Sequence, residues 1–210
     1  MIYPKKNRFM YWVMLNYVKW LLGRKFREIL FNTIETDNQK SILLIANHYS
    51  FWDGLILYMV NARLLKKQMH TMILEETINE YSSFKYAGAF TIKKKSRDVL
   101  VSLDYAAKLL DDPKNLVLIF PQGRLYSNFV THVNFEKGVL RVIKKAQGKF
   151  QLIFAAAFIQ YYRHEKPTAT VYLKADGQGV NYENIDVLQN AYQQHFDASK
   201  RLQTEADIEK

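Results

Sequence analysis

The sequence predicts an α/β fold, a mixed and largely parallel sheet flanked by helices. Strand-length apolar runs alternate with helix-length amphipathic segments along the chain, the pattern that builds such sheets. No internal repeat or low-complexity linker interrupts them. The 210 residues suffice for one sizeable core and are tight for two.

The first element is the stretch Phe9–Leu22 (FMYWVMLNYVKWLL), flanked by Lys5, Lys6 and Arg8 before it and by Arg24, Lys25 and Arg27 after it. It falls short of the roughly 20 apolar residues a spanning helix needs, and Asn16 and Lys19 interrupt it. Aromatic rings between cations suit a helix lying in the headgroup region of a bilayer. Packing on the domain is the alternative role, and the two can coexist. No small-residue cleavage site precedes Lys25, which argues against a signal peptide.

Strands are expected at Ser41–Ala46, His70–Leu74, Ala89–Lys93, Leu116–Phe120, Gln151–Ala157 and Thr168–Lys174, each a short run rich in apolar or β-branched residues. Between them Val99, Leu100, Leu103, Ala106, Ala107 and Leu110 form one stripe at helical spacing, with Pro113 just past its end. Residues Phe135–Lys145 read as another helix, ending before Gly148. Ile185, Leu188, Tyr192, Phe196 and Leu202 imply a docked C-terminal helix that frays after Thr204 and carries no chemistry. The division expected is an N-terminal interfacial segment over 1–30, an α/β domain over 31–180 and a helical tail over 181–210.

Thirty Lys and Arg against twenty Asp and Glu give a net charge of +10, which attracts anionic lipid, nucleic acid or acidic carriers. Zinc-finger spacing, an RNP-like aromatic strand and a basic zipper are all missing, so no nucleic-acid partner is expected. The chain has no cysteine, which excludes disulfides, thiolate catalysis and Cys-ligated zinc. That absence fits a reducing compartment.

Chemistry concentrates where SILLIA runs into NHYSFWDG. This places Asn47, His48 and Asp53 at the C-terminal edge of the sheet, where α/β folds bind ligands. Five residues apart, His48 and Asp53 would point about 140° apart on a regular helix. They meet only if His48 precedes the helix and folds back over its first turn. The carboxylate then fixes the imidazole tautomer and leaves the second nitrogen as a base. Ser50 followed by Asp53 also has capping-box spacing, so a purely structural role competes. The second candidate is LVLIFPQG with Arg124: a strand ending in a Pro-Gln-Gly turn, with Gly123 allowing close backbone approach and Gln122 and Arg124 adding polar and cationic contacts. GAFTIKKK supplies a third strand and the cations Lys93, Lys94 and Lys95, the last two read as a solvated face.

In order, these pieces resemble the glycerolipid acyltransferase family that includes lysophosphatidate acyltransferases. NHYSFWD is similar to its NHxxxxD block, GAFTIKK to its G-x-F-x-I-R block, FPQGRLYS to its FPEGTRS block, and Ile153–Ile159 to its VPVAI-like block, over roughly residues 35 to 165. The resemblance implies that His48 is a general base oriented by Asp53, and that Asn47, Lys93, Phe120, Pro121, Gln122, Gly123 and Arg124 contact substrate. It implies acyl transfer from acyl-CoA or acyl-carrier protein to a lipid hydroxyl. No metal and no further cofactor are expected, and the aromatic and cationic first stretch, the net charge and the lack of cysteine lead to the expectation of peripheral attachment to the cytoplasmic face of an anionic membrane. The chain departs from the family pattern at four positions. Gln122 replaces a glutamate, Lys93 an arginine and Ala155 a proline, while Arg124 stands one position early. The changes at Gln122 and Arg124 shift the expected acceptor from lysophosphatidate toward other lysolipids or a hydroxylated acyl-amino-acid lipid. A catalytically dead lipid-binding scaffold is the alternative that Gln122 suggests.

Overall fold

A computed structural model describes residues 1–5, 7–93, 98–146, 150–177 and 182–206; Lys6, Lys94, Lys95 and Gly148 lie outside them. Among the described residues seven strands form one mixed sheet in the order β1-β7-β6-β2-β5-β3-β4. They are β1 (Glu28–Phe31), β2 (Ser41–Ala46), β3 (Gln68–Leu74), β4 (Phe90–Ile92), β5 (Asn115–Ile119), β6 (Phe150–Gln160) and β7 (Thr168–Ala175). The β6–β7 pair is antiparallel and the others parallel. The helices are α1 (Arg8–Lys25), α2 (Trp52–Val60), α3 (Glu75–Glu80), α4 (Asp98–Leu109), α5 (Gly138–Lys145) and α6 (Ile185–Thr204).

Strand alternation divides the core between the two faces of the sheet. Ile42, Leu44 and Ala46 of β2 join Leu116, Leu118, Ile153 and Ala155 in the layer that also holds α1 and α2. Leu43 and Ile45 join Val117, Ile119, Phe154 and Ala156 beneath α4, α5 and α6. Every residue of β2 is therefore buried, which explains the apolar run Ile42–Ala46; the one polar residue, Ser41, donates its hydroxyl to the Leu110 carbonyl. Its neighbours β5 and β6 both run parallel to it, so the C-terminal end of β2 opens where chain connections leave to opposite sides.

Helix α1 begins at Asn7, whose side chain accepts the Met10 N–H at 3.0 Å. Met14, Val18 and Leu22, spaced i, i+4, i+8, are buried against the domain, each contributing about 1.5–3 kcal/mol. The opposite side exposes Phe9, Trp12, Tyr17 and Trp20, with the Arg24 guanidinium over the Trp20 ring. Among the described residues no helix is long and apolar enough to cross a membrane.

Some elements differ from expectation. β1 has the sequence EILF with every second residue exposed, too short and too half-buried to stand out. It pairs along β7, so the sheet begins before residue 31. Helix α5 starts at Gly138 and not at Phe135; in the segment before it the N–H groups of Val133 and Phe135 are held by the side chains of Gln193 and Gln189 on α6. Leu202 is 56 % exposed; six residues past Phe196, it is turned away, and Ser199 and Gln203 continue the buried stripe.

Candidate active site

His48 leaves the end of β2 before α2 begins, so its side chain folds back over the first turn of that helix. Its Nδ1 lies 3.1 Å from Oδ2 of Asp53. The same oxygen accepts the main-chain N–H groups of Tyr49 and Ser50 at 2.6 and 2.8 Å, and Oδ1 accepts the Ser50 hydroxyl at 2.8 Å. Both readings of Asp53 thus hold together: it ties the start of α2 and it touches the imidazole. A carboxylate only accepts, so this contact favours the neutral tautomer with its proton on Nδ1, in which Nε2 has a lone pair. Asp53 is 2 % exposed, whereas a quarter of the His48 side chain reaches solvent. The dyad is open on its imidazole side only.

The FPQG turn grips His48 from the neighbouring strand. Phe120, at the end of β5, stacks on the imidazole with ring centres 4.2 Å apart and planes within 19°. Pro121 and Gly123 make the turn, closed by the Gly123 N–H to the Phe120 carbonyl at 3.1 Å, with Gly123 at φ +65°, where glycine is favoured. Gln122 is 2 % exposed, and its Oε1 accepts the His48 main-chain N–H at 2.6 Å. Further along, the Tyr126 N–H donates to the His48 carbonyl at 3.2 Å.

Residues 28–158, more than half of the chain, match the family model described as Acyltransferase. The chain belongs to the acyltransferase family. The fold of this acyltransferase is similar to the crystal structure of the 1-acyl-sn-glycerophosphate (LPA) acyltransferase, PlsC, from Thermotoga maritima. That likeness has a TM-score of 0.63 and 12 % identity, covering 90 % of this chain and 78 % of the other. No curated protein matches it by sequence.

The remaining residues of the acyltransferase expected to contact substrate divide. Asn47 is fully buried and spent on the protein: its side chain donates to the Ala157 carbonyl and accepts the Ala157 N–H, both at 2.8 Å, extending the β2–β6 ladder by one step. Pro121 is buried and its carbonyl accepts the Glu136 N–H. Arg124 is exposed and lies over the Tyr126 ring at 4.6 Å, beside the strap that holds His48. Lys93 is exposed at the same edge of the sheet, but β4 stands three strands from β2, about 14 Å across the sheet. The structure therefore does not bring Lys93 against the dyad.

Two contributors escape sequence reasoning. Tyr192 of α6 is buried, donates to the Ala155 carbonyl at 2.8 Å and stands 3.3 Å from Asn47 Oδ1, so the C-terminal helix supports the site although it supplies no reacting group. Tyr49 packs edge-on against Phe196 of the same helix. Burial, reinforced by the Asp53 carboxylate, holds the Tyr49 phenol far above its ordinary range. Burial, with Tyr49 alongside, does the same for Tyr192. Both stay neutral. On the rim, Phe51, Tyr81 and Phe84 form an aromatic cluster, with Phe51 and Tyr81 exposed, and α1 packs against the 3-10 turn Ser82–Ala87 that carries Phe84.

Proposed function

We propose that this protein transfers a fatty acyl group from acyl-CoA or acyl-carrier protein to a hydroxyl of a lysophospholipid-like or acyl-amino-acid lipid. The observation that carries the reading is the His48–Asp53 contact at the C-terminal end of β2, with Nε2 left as the free base. Nε2 takes the hydroxyl proton while the oxygen attacks the thioester carbonyl carbon. The C–S bond then breaks, and the leaving thiolate takes the proton back from the imidazolium. Asp53 opposes the charge that forms on the ring during that exchange. The acyl group passes directly between substrates, and no cofactor beyond the thioester enters the scheme.

The test is transfer by the purified full chain from labelled acyl-CoA, and separately from acyl-carrier protein, to a panel of lysophospholipids and hydroxylated acyl-amino-acid lipids. A diacylated product from at least one pairing is expected. No product from any pairing would overturn the proposal.

The protein works peripherally, on the cytoplasmic face of an anionic membrane, with α1 in the headgroup layer. Exposed Phe9, Trp12, Tyr17 and Trp20 support this, since the buried side of the helix is already occupied by the domain. Replacing Trp12 and Trp20 together by Glu should lower co-sedimentation with phosphatidylglycerol vesicles at least about tenfold while leaving thermal stability near wild type. Undiminished sedimentation of the double variant would remove α1 as the membrane contact.

A further inference from the structure

We propose that Gln122 is a positioning residue that fixes the main chain of His48, and that it does not read the acyl acceptor. The inference rests on the base role proposed for His48. A backbone N–H can meet only the oxygen end of an amide, so the 2.6 Å contact commits Oε1 of Gln122 to His48. The other end, Nε2, is closed to solvent and has no hydrogen-bond partner among the described residues. An amide with one end bonded to the base and the other enclosed presents no polar atom to an entering lipid. With 2 % of the residue exposed, Gln122 belongs to the wall behind His48.

What that contact does follows from the other restraints on His48. Its carbonyl is held by Tyr126 N–H, its ring is stacked on Phe120, and its Nδ1 is on Asp53. The turn at Phe120–Gly123 thus reaches His48 through the ring and through the N–H, while residue 126 takes the carbonyl. Among the described residues only Gln122 holds the N–H. Residue 48 sits between the end of β2 and the start of α2, where neither ladder nor helix supplies that N–H with an acceptor. Without the Gln122 oxygen a half-buried donor is unmet, and the backbone can rotate to find water, carrying the ring with it. The geometry also explains how glutamine can stand where the family pattern has glutamate. Either side chain supplies one oxygen to the N–H, and the substitution is compatible with an intact dyad.

The experiment compares Gln122→Met, which keeps the volume and removes the oxygen, with Gln122→Glu, which keeps an oxygen. In full-length 15N-labelled protein, hydrogen exchange of the His48 amide should accelerate about 10–100-fold in the Met variant. The Tyr49 and Ser50 amides, held by Asp53, should stay within about threefold of wild type, a result that global destabilisation cannot produce. Equal acceleration of all three amides, or none, would overturn the proposal without reference to any activity. In the acyl-transfer assay Gln122→Met should lower kcat about 100-fold with KM for the acceptor within about threefold, and Gln122→Glu should recover most of the loss. A loss confined to acceptor KM would make Gln122 an acceptor-binding residue and sink the positioning role. Absence of transfer by the wild type would refute the proposed activity while the exchange measurement still decides the role of Gln122.

Discussion

Asp53→Asn is expected to give a folded protein whose kcat is about two to three orders of magnitude below wild type, with His48→Ala at least as low. The asparagine oxygen can take the place of Oδ2, because the Tyr49 and Ser50 N–H groups demand an acceptor there. Its amide nitrogen then faces the Ser50 hydroxyl, which can accept. The imidazole therefore keeps its tautomer and its place, and what disappears is the charge that balances the imidazolium. The stability loss should be modest, about 1 kcal/mol. Asp53→Ala is the less informative variant, since it also strands two main-chain donors. Steady-state kinetics paired with thermal denaturation separates the roles. If Asp53→Asn turns over within about tenfold of wild type while His48→Ala is inactive, Asp53 serves α2 alone.

Gly88→Ala should have the largest effect on stability, about 3–5 kcal/mol, or a fall in Tm of roughly 10 °C or more for a chain of this size. Gly88 sits at φ +94°, and a Cβ added there would lie 2.0 Å from the Met69 carbonyl oxygen. Met69 belongs to β3, and β4 begins two residues after Gly88 and pairs with β3. The methyl group can be accommodated only by pushing β4 off the sheet, since the atom it meets is backbone. A variant melting within about 2 °C of wild type would show that the edge of the sheet gives way freely. The glycine that opens the GAFTIKK block thereby has a packing explanation that involves no substrate.

Much of this architecture is readable because burial writes itself into residue type. β2 is apolar from Ile42 to Ala46 as both of its faces are covered, and on α4 Leu103, Ala106 and Ala107 are buried at helical spacing, although Leu100, expected on the same stripe, is exposed. β1 is unreadable for the converse reason: at the rim of the sheet, EILF needs only two inward residues. The five-residue spacing, with His48 placed ahead of α2, anticipates the contact between His48 and Asp53. Pattern stops short of direction. Nothing in FPQG says that the Gln122 oxygen turns toward His48, and Asn47 carries no mark that both ends of its amide are consumed by Ala157. Tyr192 is the clearest omission. Helical period puts it on the buried face of α6, but which loop lies under that face is set by contacts across 145 residues, which no local window contains.

The Tyr192–Asn47 contact also bears on when the site can exist during synthesis. β2 emerges early, but its partners β5 and β6 and then α6 follow in that order, so the strand carrying His48 waits for most of the chain before either flank is covered. Until residue 192 has left the ribosome, the carbonyl of Ala155 and the amide of Asn47 lack the phenol that closes over them. A nascent chain arrested before α6 would hold every residue of the dyad and the turn, yet present them on an uncovered sheet. Closure of the His48 end of the sheet thus follows synthesis of α6, long after α1 has emerged.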